Sequence, residues 1–133
     1  MIAADTNVLL RYLLGDDESQ AGKSRRIFMG GAPVLITDVV LAETLWTLSG
    51  RRYNASKPDL VTVVDKLLQD SNIRFEDEGV IWNALQSYRE TDADFADALI
   101  VCKALKTAAA FDEPCTVFTF DARALQLPNT AEP

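Results

Sequence analysis

Histidine is missing from this chain of 133 residues, and its absence removes several classes of catalysis at once. Without an imidazole there is no Ser-His-Asp or Cys-His machinery and no zinc site of the usual histidine-containing kinds. Two cysteines, Cys102 and Cys115, are too few for a disulfide framework or a metal site. Their apolar neighbours favour buried free thiols. Any catalysis must therefore use carboxylates, hydroxyls, amines or a metal ion.

Targeting segments and long apolar runs are missing as well. Residues 1–5 lack the basic region that opens a signal peptide. The most apolar stretch, 95–111, is interrupted by Asp97, Lys103 and Lys106, so it falls short of a membrane span. We therefore expect a cytoplasmic protein with no membrane segment.

Basic residues are outnumbered, with 13 Lys and Arg against 20 Asp and Glu, and the net charge of −7 argues against a general coat for nucleic acid. A hydrophobic fraction of 48% is ordinary for a globular protein and excludes disorder. The length suits one domain, which we place at 1–127. The tail 128–133 has too few apolar groups to pack and is expected to fray.

Apolar strand patterns alternate with helical ones along the chain. Glycines at 15 and 50 are the predicted helix stops, and Asp38 is the predicted N-cap of the third helix. This alternation predicts an α/β fold with a largely parallel sheet covered by helices on both faces. Strands are predicted at 1–4, 33–37, 73–75 and 115–120, and helices at 7–14, 18–29, 38–49, 58–68, 80–88, 95–110 and 122–125.

Acidic residues stand where a parallel sheet places its active site. Asp5 ends the first predicted strand and Asp121 ends the last, and ligands of such sheets bind outside the carboxyl ends of the strands. The alternative interpretation is that each Asp only caps the helix that follows.

Glu43 lies on a helix that is apolar around nearly its whole circumference. Only Glu43, Thr44 and Thr47 form a polar strip, and a helix apolar all round is normally buried. A buried carboxylate needs a cation or solvent beside it, because burying it unpaired costs several kcal/mol. The strip therefore faces either an internal polar site or a thin solvated seam.

Asp94 and Asp97 open the longest predicted helix with the spacing of a capping box. Asp97 neighbours Ile100 and Val101, so a purely solvated role suits it less well than Asp94. Carboxylates packed together repel one another unless a metal neutralises them. Such a set suits one or two Mg²⁺ ions, and without histidine metal-activated water is the natural nucleophile.

Four segments in this order resemble the motifs of the PIN-domain ribonucleases, in particular the VapC toxins of prokaryotic toxin–antitoxin pairs. They are DTNVLLRYL at 5–13, TDVVLAET at 37–44, DFADALI at 94–100 and TFD at 119–121. The resemblance implies a three-layer α/β/α sandwich on a mainly parallel sheet of four to five short strands. It also implies a Mg²⁺- or Mn²⁺-dependent endoribonuclease.

The resemblance assigns roles residue by residue. Asp5, Glu43, Asp97 and Asp121 take the catalytic and metal-binding positions, and Asp94 either supports them or helps to hold a second ion. Thr6, Asn7 and Thr119 would orient the carboxylates or the metal's waters. The implied partners are an RNA substrate, a second copy of the chain and a cognate VapB-type antitoxin.

RNA must approach this acidic chain through local basic groups. Arg11, one turn beyond Asp5, is the candidate for placing a phosphate, and ordinary surface charge is the alternative. Two basic clusters are further candidates: Lys23, Arg25 and Arg26, and Arg51, Arg52 and Lys57. The aromatic candidates for base stacking are Trp46, Trp82 and Tyr88, which helical spacing more often places in a core.

Two other functions fit parts of the pattern. A phosphatase of another α/β family would need a second Asp two residues after Asp5, where Asn7 stands. A non-catalytic module would use the same acids to grip a basic partner. The helices 7–14 and 38–49 carry more apolar residues than one buried face needs, which predicts a surface covered by a second copy or an antitoxin helix. The alternative is that both helices are internal to the sandwich.

Overall fold

Helices and short strands alternate along the chain as the sequence predicted. The computed structural model describes all residues from Met1 to Pro133 and divides them into two compact units, Met1–Glu76 and Asp77–Pro133. None of the helices combines the length and the apolar character that crossing a bilayer requires.

The first unit is built on a parallel sheet of three short strands in the order β1-β2-β3. Ile2 pairs with Val34 and Val34 pairs with Ile73, so the carboxyl ends of all three strands reach the same edge. The strands are β1 Ile2–Ala3, β2 Val34–Ile36 and β3 Ile73–Phe75, and the helices are α1 Thr6–Leu14, α2 Glu18–Phe28, α3 Asp38–Ser49 and α4 Lys57–Gln69.

Helix ends in this unit follow local chemistry. Gly15 ends α1 in the left-handed conformation (φ 62°), and its amide donates to the carbonyl of Arg11. The N-cap of α3 is Thr37, so the prediction of Asp38 was wrong: the Thr37 hydroxyl accepts from the amide of Val40. Asp38 begins the helix instead, and its own amide donates to Glu76 Oε2 at 2.6 Å.

The second unit centres on two packed helices. Leu85 and Leu99 are almost fully buried, and the ring of Tyr88 meets that of Phe95 edge-on with centroids 5.9 Å apart. Its elements are α5 Glu78–Glu90, α6 Phe95–Ala110, β4 Val117–Phe118, a 3₁₀ helix Ala124–Gln126 and β5 Thr130–Ala131.

The C-terminal tail 128–133, which was predicted to fray, contains a short strand. Thr130 and Ala131 form β5, parallel to β4, because the amides of Val117 and Thr119 donate to the carbonyls of Asn129 and Ala131. Backbone pairing, with Leu127 buried just before it, replaces the apolar packing that the tail lacks.

The sheet and the cysteines differ in detail from expectation. All five strands pair in parallel, as predicted, but as one set of three and one set of two. The strand predicted at 115–120 is only Val117–Phe118, and the helix predicted at 122–125 is a 3₁₀ helix. Cys102 and Cys115 are free and half-buried, and burial raises the pKa of the Cys102 thiol.

Candidate active site

Asp97 is the centre of an acidic group in the second unit. It lies in the first turn of α6 and is half-buried. Burial raises the pKa of Asp97, and the negative charges of Asp121 and Asp94 raise it further, while Arg123 acts in the opposite direction. Three carboxylates and one guanidinium therefore act on one another here.

Asp94 does not do the capping work that its sequence position suggests. It stands at the N-cap of α6, but its side chain makes no capping hydrogen bond. Asp94 Oδ2 instead lies 3.9 Å from Arg123 Nη2, and both side chains are more than half-exposed. The capping-box interpretation is therefore wrong, and the Asp94 carboxylate pairs weakly with the guanidinium of Arg123.

Asp121 organises the turn that follows β4. Its Oδ1 accepts hydrogen bonds from the amides of Arg123 at 2.8 Å and Ala124 at 3.3 Å, so it caps the turn, whereas the N-cap of the 3₁₀ helix that follows is Arg123. Its amide donates to Thr119 Oγ1 at 3.0 Å, so Thr119 orients the Asp121 backbone. The cap uses one carboxylate oxygen, so it is compatible with a ligand role for the other.

A shallow depression of the second unit lies beside Asp97 and Thr119. Asp97 and Thr119 line it together with apolar side chains that include Ile100, Val117 and Phe118. The side chains of Ile100 and Phe118 are more than half-exposed, so the depression is open to water.

In the first unit, Asp5 lies after a strand and caps the helix that follows, as Asp121 lies after β4 and caps a turn in the second unit. Asp5 follows β1 after one intervening residue, Ala4, at the carboxyl edge of the sheet, and its Oδ1 accepts from the amide of Val8 at 2.9 Å. It is therefore a helix cap, as the alternative interpretation held, with an exposed side chain. Thr6 begins α1 half-buried, and Asn7 is exposed beside it.

Glu43 is exposed on α3, which is not buried all round as its composition predicted. Val39 is 74% exposed and Trp46 is 77% exposed, one turn before and one turn after Glu43. The predicted polar strip is divided, because Thr44 is fully buried and its hydroxyl has no hydrogen-bond partner. Trp46 is therefore a surface residue, and the prediction of a core position was wrong.

Arg11 is engaged inside the first unit. Its guanidinium lies 2.7 Å from Asp16 Oδ1 and donates to the hydroxyl of Tyr53 at 3.2 Å, and only 12% of the side chain is exposed. These contacts favour a structural role for Arg11. Its assignment to RNA stays a prediction.

Comparison with known families decides the identity of the fold. A model of the PIN domain matches residues 2–130. The chain belongs to the PIN domain family. No curated protein matches the chain. PIN domains are generally metal-dependent nucleases, so this chain has a nuclease-type fold, and the sequence resemblance is confirmed at the level of the family.

The donor set of this PIN domain fits a hard divalent cation. No group of three or more His, Cys, Asp and Glu side chains is spaced to hold an ion in common. Mg²⁺, however, keeps several waters and binds proteins through only one or two carboxylates. Asp97 and Asp121, whose negative charges repel each other, provide two such carboxylates.

Arg123 is the residue that the sequence argument missed. Its amide donates to Asp121 Oδ1 and its guanidinium lies 3.9 Å from Asp94 Oδ2, so Arg123 contacts two of the acids around Asp97. The available signal was its spacing, two residues after Asp121. An Asp that caps a turn accepts from the amide two residues on, which places that residue beside it.

Proposed function

We propose that the protein is a Mg²⁺- or Mn²⁺-dependent endoribonuclease. The observation that carries the proposal is the half-buried Asp97 beside Asp94 and Asp121 in a chain of the PIN domain family. Like charges held together in partial burial destabilise one another, and a bound cation reverses that effect. Such groups are retained at functional sites because the charge they accumulate binds an ion.

We assign Asp97 and Asp121 to the metal on their motifs and on the mutual repulsion of their charges, and Asp5 and Glu43 on their motifs alone. A bound divalent cation would activate water and stabilise the charge that develops on the phosphate. The chain's own residues position the ligands: Thr119 holds the Asp121 backbone, and Asp121 in turn orders the turn after β4. Asp5 is fixed by its cap on α1 in the same way.

RNA hydrolysis separates this proposal from its alternatives. Total RNA is incubated with the protein and either Mg²⁺ or EDTA, and Asp97→Asn and Asp5→Asn are compared with a control. Asp112→Asn is a matched control, because Asp112 is exposed and its left-handed backbone (φ 58°) suits Asn. We expect metal-dependent cleavage by the wild type and the control, and none by the other two variants.

Two outcomes would reject the proposal. Cleavage retained by both variants, in preparations free of contaminating nuclease, would show that these carboxylates do not carry the reaction. A folded protein that cleaves no RNA with either metal, but binds a basic peptide, would support the non-catalytic module instead.

We further propose that this nuclease is the toxin of a type II toxin–antitoxin pair, of the VapC type, acting in the cytoplasm. The support is the order and spacing of its four motifs, together with an apolar face on α3. Val39 and Trp46 leave a large apolar area in contact with water, and a small protein rarely does so without a partner. The proposed partners are a second copy and a VapB-type antitoxin.

A further inference from the structure

Arg123 has a backbone that the acidic group itself holds in place. Its amide donates to Asp121 Oδ1 at 2.8 Å, just before the 3₁₀ helix Ala124–Gln126. The neighbouring amide of Ala124 donates to the same oxygen. The base of the Arg123 side chain is therefore fixed relative to a carboxylate that we assign to the metal.

The guanidinium of Arg123, by contrast, is loosely held. Its Nη2 lies 3.9 Å from Asp94 Oδ2, and the two side chains are 60% and 65% exposed. A pair this long and this exposed is weak, so another anion can replace Asp94. A planar guanidinium presents paired donors that match two oxygens of a phosphate.

The second unit is strongly acidic, so its few basic residues matter for the approach of an anion. This unit holds four basic and ten acidic residues, so a polyanion approaching Asp94, Asp97 and Asp121 is repelled. Arg123 is the one basic residue whose positive charge acts on Asp97. It is therefore the cation of this unit that a phosphate meets when it comes to these carboxylates.

We propose that Arg123 binds a phosphate of the RNA beside the catalytic carboxylates, exchanging Asp94 for the substrate. This inference rests on the proposed function, because it assigns a substrate contact within the same site. Arg123 contributes to binding of RNA and not to binding of the metal, which distinguishes it from the acids around it.

The test compares Arg123→Gln and Arg123→Lys with Arg89→Gln, an exposed arginine on α5 of the same unit. A short single-stranded RNA is the substrate, and Mn²⁺ is the metal. We expect Arg123→Gln to lower kcat/KM about 10- to 100-fold through KM, as removal of a charge-assisted hydrogen bond does. Arg123→Lys should recover part of the loss, and Arg89→Gln should match the wild type.

Two further readouts separate substrate binding from a structural role. The slope of log affinity for RNA against log salt should become shallower by about 0.7 in Arg123→Gln, the value for one lost phosphate contact on a single strand. Mn²⁺ binding, measured by calorimetry without RNA, should be unchanged or tighter. Unchanged kcat/KM and salt slope, or weaker Mn²⁺ binding with loss of thermal stability, would overturn the inference.

Fluorescence anisotropy with labelled RNA keeps the test independent of cleavage. RNA binding that depends on Arg123 in a protein that cleaves nothing would overturn the proposed nuclease and support this contact. Cleavage by the wild type with an unaffected Arg123→Gln would overturn this contact alone. A wild type that neither binds nor cleaves RNA would overturn both.

Discussion

At the residue scale, the electrostatics of Asp97 lead to a stability effect that differs from the usual one for an acid. A carboxylate paired with cations has a lowered pKa and stabilises the fold as the pH rises. Asp97 is half-buried among acids, so its pKa is raised and its ionised form destabilises the folded chain. The proposed function gives this repulsion a use, because it would strengthen the binding of a cation.

Asp97→Asn should raise the thermal stability of the metal-free protein at neutral pH. The wild type takes up a proton as the pH falls through the raised pKa, so it regains stability over that range, down to the unfolded value of about 3.9. The gain from Asp97→Asn should therefore shrink as the pH falls. Thermal melting in EDTA across a pH series measures it, with Asp112→Asn as the control.

A variant less stable than the wild type at pH 7 in EDTA would show that Asp97 makes a structural contact that outweighs the repulsion. Added Mg²⁺ provides a second check. It should stabilise the wild type more than Asp97→Asn, since a ligand that binds only the folded state stabilises it.

Gly15 is the residue at which backbone conformation alone sets the stability. It ends α1 at φ 62°, and a Cβ built there meets nothing within 4 Å. Gly15→Ala should therefore destabilise the fold by about 1–2 kcal/mol through the left-handed conformation and not through a clash. Gly15→Asn should lose less, because Asn tolerates this region better. Urea denaturation compares the two, and equal losses would point to some other cause.

The sequence predicted the positions of some acidic residues but not the contacts of others. Asp5 and Asp121 were placed at strand ends because apolar strands end where polar residues begin, and they lie two residues beyond β1 and three residues beyond β4. Asp94 was taken for a cap because its spacing to Asp97 fits one. Spacing does not reveal that Arg123, distant in sequence, would attract the same carboxylate.

At the element scale, the helices were predictable because periodicity and end signals agree. The bounds of α6, Phe95–Ala110, match the predicted 95–110, since Asp94 and the apolar run mark both its ends. The face that α3 buries was not predictable, because its apolar residues cover the whole circumference. Only tertiary packing decides that Thr44 points inward and Trp46 outward. Short strands such as β4 depend on partners, which a local pattern cannot show.

Removal of residues 128–133 tests the importance of β5 for the site. The amides of Val117 and Thr119 would lose their acceptors, so β4 and the turn that positions Asp121 should loosen. We expect faster hydrogen exchange at 117–121 and a clear loss of ribonuclease activity with α5 and α6 still folded. A truncated protein with full activity and unchanged exchange would restore the idea of a frayed tail.

At the scale of the whole molecule, the exposed face of α3 predicts association. Trp46 and Val39 are both about three-quarters exposed and flank Glu43, which the motif assigns to the metal. A partner that covers them would therefore lie beside a residue that we propose as a metal ligand, so we expect association and activity to be coupled. The chain has two tryptophans, and the other, Trp82, lies on α5. Trp82→Phe therefore leaves Trp46 as the only indole in the chain.

In that single-tryptophan variant, the emission of Trp46 should shift to shorter wavelength as the protein concentration rises, because a second copy removes the indole from water. Light scattering of the same samples should show the mass doubling over the same range.

Trp46→Glu should keep the protein monomeric, since a charge at the centre of an apolar interface is costly to bury, whereas Trp82→Glu should associate like the wild type. If emission changes only when the neighbouring gene product is added, the face binds the antitoxin and not a second copy. If neither addition nor concentration changes it, α3 has no partner and the proposed association is wrong, while the case for the nuclease, which rests on the carboxylates, is unaffected.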